Sequence, residues 1–486
     1  MDDRFDFQEA TIADLGRRLR NGELSVPALA EAYLGRIEAI DRRGPELRSV
    51  IQVDPDVAAN ADRLEGELRD RLDRGPLHGI PILVKDNIAT ADRMETTAGS
   101  LALVGRRPPA DAALVARLRD AGALLLGKSN LSEWANFRST RSSSGWSARG
   151  GQCRNPYATD RSPAGSSSGS GVAVAADLCA AAIGTETDGS IVSPSSASGI
   201  VGIKPTVGLV STAGVIPISH TQDAPGPMAR TVADAATVLA AMTGDARLAG
   251  DPDRGALRGA RIGVARNVDR FHPRVDALFE EVLDVLRAAG AELIDPADVP
   301  HIDEYEDHEW EVLKYEFKTD IETYLASVPG DGPRTLADLI AFNDVNRDDE
   351  MPFFDQDLFD MSVEKGPLTE PAYLEALAAC RRLSRDEGLD AVIAEHGLDA
   401  LVAPTRGPAG LIDHVNGDRS VGDSSSPAAV SGYASITVPM GAIAGLPVGL
   451  SFIGGPRREA AMIGYAAALE RETSARIAPR FLASVD

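Results

Sequence analysis

Eleven of the 46 glycines of this 486-residue chain fall between residues 145 and 208, and that stretch constrains the fold more than any other. It contains Pro163-Ala-Gly-Ser-Ser-Ser-Gly-Ser-Gly171, then Gly184-Thr-Glu-Thr-Asp-Gly-Ser-Ile-Val-Ser-Pro194, then Gly202-Ile-Lys-Pro-Thr206. A local excess of glycine implies a backbone that packs tightly or that something approaches closely. A flexible linker has a similar composition, but linkers of this type rarely carry large aromatics. Trp146 and Tyr157 interrupt residues 137–171, and apolar elements flank them, so this part is read as an ordered, irregular loop.

The flanking pattern is that of an α/β chain. Thr11 is placed to cap a helix carrying Ile12, Leu15 and Leu19, which stops near Asn21-Gly22. Ser25 and Pro27 open a second helix with Leu29, Tyr33, Ile37 and Ile40 on one face, and a third is expected from about Pro55 to Leu72. Gly79-Ile-Pro-Ile-Leu-Val-Lys85 reads as a buried strand that delivers Lys85 to its end. Asp111–Asp120 reads as a helix and Ala123–Leu126 as a strand, an alternation that points to an α/β sheet. Residues 265–395 turn acidic and helical, with aromatics at Trp310, Tyr315, Phe317, Tyr324, Phe342, Phe353, Phe354 and Phe359. Such a block packs as a helical layer or walls a pocket, since pockets are lined mainly by apolar and aromatic groups. Strands return at Ala400–Ala403, Ile436–Met440 and Val448–Ile453, and a last helix covers about Arg458–Thr473. No internal repeat is visible.

Composition excludes several classes. Hydrophobic residues make up 43% of the chain, enough for a large core. The net charge of −24 opposes binding to nucleic-acid phosphates. It serves solubility first and attraction of cationic substrates second. Cys153, Cys179 and Cys380 are odd in number and far apart, which argues against a disulfide framework or a zinc cluster. The start MDDRFDFQEATIADL has neither the basic head nor the apolar run of a signal peptide, and no stretch approaches the ~18 apolar residues of a membrane span. A cytoplasmic location is the expectation.

Two short motifs compete for the chemistry and lose. Gly122-Ala-Leu-Leu-Leu-Gly-Lys128-Ser129 fits a phosphate-binding pattern, but its Ala-Leu-Leu-Leu middle reads as buried strand rather than a glycine-rich turn. Gly165-Ser-Ser-Ser-Gly169 fits the nucleophile elbow of a Ser-His-Asp α/β-hydrolase. The residues before it are not strand-like, and nothing marks His396 or His414 as a triad partner.

Gly79–Asn87, the two Gly/Ser segments and Gly202–Thr206, taken together and in order, resemble the amidase signature family. Asp223–Asp234 and Leu446–Leu450 extend the resemblance over most of the chain. The wording of Gly184–Val192 and Ser144–Gly151 is similar to the peptide amidase branch. Where the common pattern has Asp, Gly and Arg, this chain has Glu186, Asp188 and Val192. Loss of the arginine removes a fixed cation that a carboxylate-bearing substrate would need.

The resemblance implies one amidase domain over residues 1–486, with a large mixed β-sheet covered by helices on both faces. Its core is expected at about 60–240 and 396–486, and a helical, acidic insertion beside the active site at about 265–395. It makes Ser190 the nucleophile, Ser166 (24 residues earlier) the bridging serine after a cis peptide bond, and Lys85 the base. It makes the backbone N–H groups of Thr187, Asp188, Gly189 and Ser190 the oxyanion hole. Physics agrees with these roles. A serine hydroxyl needs a base, lysine serves as one only when neutral, and burial lowers its pKa. A hydroxyl that both donates and accepts can pass a proton between the two. The implied activity is hydrolysis of linear carboxamides through an acyl-enzyme, with peptide C-terminal amides first and anilides, esters or carbamates next. No cofactor or metal is implied, and no partner beyond a small-molecule or peptide amide; the protein is expected as a monomer or homodimer without nucleic acid or membrane. The rival role is the A-type subunit of a tRNA-dependent amidotransferase, which Val192 and the peptide-amidase-like wording disfavour. His78 is expected to be structural.

Overall fold

A computed structural model of the chain describes residues 5–249, 255–268, 271–419 and 421–485. Residues 1–4 of the start segment lie outside them. The N-terminal helices form as their caps dictate. The Thr11 side chain accepts from Asp14 N ahead of Ile12–Arg20, and the Ser25 side chain accepts from Ala28 N ahead of Val26–Arg36. The third helix is Val57–Arg69, inside the expected bounds.

Thirteen strands occur among the described residues. In chain order they are β1 (Val50–Val53), β2 (Pro81–Lys85), β3 (Leu124–Ser129), β4 (Trp146–Ser147), β5 (Gly151–Gln152), β6 (Ala181–Glu186) and β7 (Val201–Lys204). They continue with β8 (Ala224–Ala229), β9 (Arg261–Val264), β10 (Glu292–Ile294), β11 (Ala400–Pro404), β12 (Ser435–Ile443) and β13 (Leu446–Ile453). Strands β4 and β5 form a small ribbon, and the other eleven make one sheet in the order β1-β3-β2-β6-β8-β7-β12-β13-β11-β9-β10. The sheet is mixed. β3, β2 and β6 run parallel, as do β11, β9 and β10, whereas the central β6-β8-β7-β12-β13-β11 pairs are antiparallel. Every residue of β2, β3, β6, β7, β8, β11 and β13 is buried, which requires cover on both faces of the sheet. The α/β fold with a large mixed sheet is therefore as expected.

The block at 265–395 departs from the expectation that it is helical throughout. Glu292–Ile294 joins the sheet edge beside β9, and helix Pro273–Ala288 packs on β12 through a face bearing Val275, Phe279 and Val282. The wholly helical part starts at Glu306–Ser327. Its aromatics Phe317 and Phe359 pack with Trp134 and Phe137 in a second apolar cluster beside the main core.

The rejected motifs are explained by the same topology. Leu124–Ser129 is strand β3, and Lys128 is buried with Nζ donating to Ile88 O and, at 3.0 Å, to Thr96 Oγ1. The three cysteines are free and buried. Among the described residues, no helix is long and apolar enough to cross a membrane.

Candidate active site

Strand β2 carries Lys85 to its C-terminal end between β3 and β6, with Ile82, Leu83 and Val84 fully buried behind it. Parallel pairing sets Val84 opposite Ile183, so Thr185, two residues further along β6, reaches the lysine. Lys85 Nζ donates to Ser166 Oγ at 2.8 Å, to Thr185 Oγ1 at 2.9 Å and to Thr185 O at 3.2 Å. Asn87 Nδ2 donates to the same Thr185 hydroxyl at 3.0 Å, which holds it in place. Burial drives the lysine pKa down from its ordinary 10.5 to about 7, against the opposing pull of Asp223 and Glu186.

Ser166 lies just before helix Ser168–Ala175, and the Gly165–Ser166 peptide is cis. A Cβ at 165 would sit 2.2 Å from Ser132 Oγ, so any larger residue would have to displace that hydroxyl. Ser132 N in turn donates to Ser166 O at 3.0 Å. Ser190 lies in the turn between β6 and helix Val192–Ala197, and its carbonyl accepts from Ser167 N at 3.1 Å. Among the described residues, Ser190 Oγ makes no hydrogen bond, and the N–H groups of residues 187–190 donate to no protein acceptor.

Buried acids shape this turn. Glu186 Oε2 accepts from Ile191 N at 2.7 Å and Val192 N at 2.9 Å. Asp223 Oδ1 accepts from Thr187 Oγ1 at 2.6 Å, while its Oδ2 accepts from Ile218 N and Ser219 N. Asp188 accepts from Ser425 Oγ and, at 2.8 Å, from Ser426 Oγ. Desolvation lifts Glu186 to about 7, and Asp188 and Asp223 to about 6. Val192 is fully buried and leaves no cation at its position.

Ser190 and Gly165 open onto a cavity of about 510 Å³, whose other wall includes Phe137, Tyr305, Glu309 and Trp310. Of the aromatics singled out in the acidic block, Trp310 lines this cavity; the others pack elsewhere. A neutral lysine beside Ser166 can take a proton, and Ser166 can take one from a neighbouring hydroxyl.

The elbow reading fails on geometry. Ser167, at its centre, donates to Thr185 O at 3.0 Å and accepts from Thr185 N. His414 bonds Gln152 Oε1 and stacks on Phe353, and His396 ends a short helix; neither lines the cavity. His78 accepts from Arg74 N at 3.1 Å and contacts Leu64 O at 3.0 Å, a structural role as expected.

The family model described as Amidase matches residues 28–463. The chain belongs to the amidase family. A probable amidase of Arabidopsis thaliana is 39% identical over 504 residues, covering 99% of this chain and 93% of that protein. The crystal structure of native peptide amidase from Stenotrophomonas maltophilia superposes with a TM-score of 0.93 at 50% identity, over 98% of this chain and all of that one (100%). The A-type subunit of the glutamyl-tRNA(Gln) amidotransferase of Acidothermus cellulolyticus is 39% identical, but over 61% of this chain and 60% of that protein. The resemblance to the amidase signature family and its peptide amidase branch is thus borne out. Thr185, Asp223, Tyr305 and Glu309 went unassigned in the sequence. Asp223 stands in a run that carries the family resemblance, whereas Tyr305 and Glu309 lie in the least recognisable block.

Proposed function

We propose that this amidase hydrolyses primary carboxamides, with peptide C-terminal amides first, through an acyl-enzyme on Ser190. The observation that carries the reading is the buried contact of 2.8 Å between Lys85 Nζ and Ser166 Oγ, with the lysine pKa held down at about 7. Neutral Lys85 takes the Ser166 proton as Ser166 takes that of Ser190, and Ser190 Oγ attacks the carbonyl carbon. The oxyanion falls to the N–H groups of Thr187, Asp188, Gly189 and Ser190, which have no acceptor of their own among the described residues. The proton returns through Ser166 to the leaving nitrogen, ammonia departs, and water enters by the same relay to release the acid. Peptide amidase is 50% identical over 98% of the chain, whereas the amidotransferase A subunit of Chloroflexus aggregans, which matches 95% of it, is 33% identical; the higher identity favours the amidase reading.

Ammonia release from a C-terminally amidated peptide, compared between wild type and Ser190→Ala, tests it. Release that vanishes in the variant is expected. Release that survives it removes Ser190 as nucleophile. No release by wild type, with hydrolysis of an anilide or carbamate instead, moves the substrate to a bulkier leaving group.

A further inference from the structure

The cavity in front of Ser190 is lined by five carboxylates: Asp188, Asp303, Glu306, Glu309 and Asp423. Among the described lining residues there is no lysine, arginine or histidine. The cation that acts on Asp188 is Lys204, whose Nζ is spent on Ala428 O and Tyr433 O (2.9 Å and 2.5 Å) and does not line the cavity. Arg406 acts on Asp423 from outside the cavity wall. Glu309 is buried and takes a neutral donor, Gln222 Nε2 at 2.8 Å. Beside it the Tyr305 hydroxyl, on a residue only 1% exposed, has no hydrogen-bond partner among the described residues. A buried hydroxyl left in that state costs free energy until something bonds to it. Asp188 pushes the Glu309 carboxyl pKa upward on top of desolvation, and Asp423 does the same to Asp188, so these acids resist ionising until a cation sits against them.

We propose that the Glu309–Asp188–Tyr305 wall binds an alkylammonium or guanidinium group on the acyl half of the substrate, making a cationic residue amide the preferred substrate class. This rests on Ser190 being the nucleophile. The leaving group of a primary amide is ammonia, so whatever fills 510 Å³ belongs to the acyl half. An ammonium supplies three N–H donors, enough for Glu309, Asp188 and the orphaned Tyr305 oxygen. Trp310 and Phe137, stacked 6.1 Å apart at the same wall, add aromatic faces that favour organic cations. A metal ion is the poorer occupant. Among the described residues the one group of three acidic or imidazole ligands close enough to share an ion is His220, Glu316 and Asp320, which does not line this cavity.

The test is calorimetric binding to Ser190→Ala protein, using N-acetyl-lysinamide and its neutral counterpart N-acetyl-norleucinamide. Lysinamide is expected to bind at least about tenfold tighter, as a cation desolvated against a carboxylate should. Adding Glu309→Gln should bring the two within about threefold, with norleucinamide affinity retained as the sign of an intact cavity. Should that variant misfold, the exposed rim pair Asp303→Asn with Glu306→Gln should still lower the ratio. Equal affinities, no binding of either amide, or a preference that survives these substitutions overturns the assignment. Preferential binding of lysinamide combined with no turnover of either amide by wild type supports the cation site and instead overturns the proposed reaction.

Discussion

Lys85 and Ser166, 81 residues apart in sequence, meet at 2.8 Å in a fully enclosed site, Nζ to Oγ, at the end of a strand with no exposed residue. The contact joins a charge-bearing group to a hydroxyl where water does not compete. Its consequences for the proposed chemistry are direct.

Removing Lys85, the proposed base, should abolish turnover whatever replaces it. Lys85→Met is expected to lower kcat by about 10²–10⁴, the usual worth of general base catalysis. Lys85→Arg should fail almost as badly despite keeping the charge, because a guanidinium does not deprotonate near neutrality. Steady-state rates and labelling of Ser190 by a fluorophosphonate check both. An active Lys85→Arg enzyme would remove Lys85 as the base.

As the proposed base, the lysine should set a pH limb. Only its neutral form accepts a proton, so kcat/KM should rise as pH passes through about 7 and level above it. Stability follows the same group. Its folded pKa of about 7 lies below the ordinary 10.5, so between those values the unfolded chain holds more protons and stability rises with pH. Below about 7 the cost of burying the charge is complete. Thermal melts should therefore show Lys85→Met gaining on wild type most below about pH 7, with the gain shrinking toward about pH 10.

Gly189 has φ +73°, and a Cβ there would lie 2.9 Å from Ser425 Oγ and 3.0 Å from Ser193 Oγ. Gly189→Ala should displace the turn that presents residues 187–190 and cost roughly 10²-fold or more in kcat, the scale of losing one oxyanion donor. KM for the same amide should change far less. A purely structural effect would appear as lost stability with kcat intact.

Asp223 acts through its neighbours. It holds the Thr187 hydroxyl and two backbone N–H groups, and its charge raises the Lys85 pKa. Asp223→Asn should lower kcat about 10- to 100-fold by loosening Thr187. It should also move the alkaline-rising limb of the pH profile to lower pH. A drop in kcat without that movement would mean that Asp223 serves packing alone.

Much of this was legible in the chain itself. The caps at Thr11 and Ser25, the apolar strand ending in Lys85 and the ordered Gly/Ser segments around Ser166 and Ser190 are local patterns, each written within about a dozen residues. Local sequence carries them because capping, burial of a short strand and close backbone approach depend on adjacent side chains. The strands β6, β7 and β8 have no individual signature in the sequence, for their Gly- and Pro-bearing runs show no alternation once both faces of the sheet are buried.

Tertiary structure alone decided the surroundings of the reactive groups. Thr185 meets Lys85 because β2 and β6 pair in parallel, a register fixed across 100 residues by packing of both sheet faces. Glu309, Tyr305 and Trp310 reach the cavity because the acidic block folds back over the Ser190 turn. Their spacing from Ser190 along the chain has no periodicity to read. Sequence thus marked which groups are proposed to react, since reactivity is a property of residue types in local motifs. The fold decided how dry, how acidic and how wide their site is, since those depend on what distant segments bring to it.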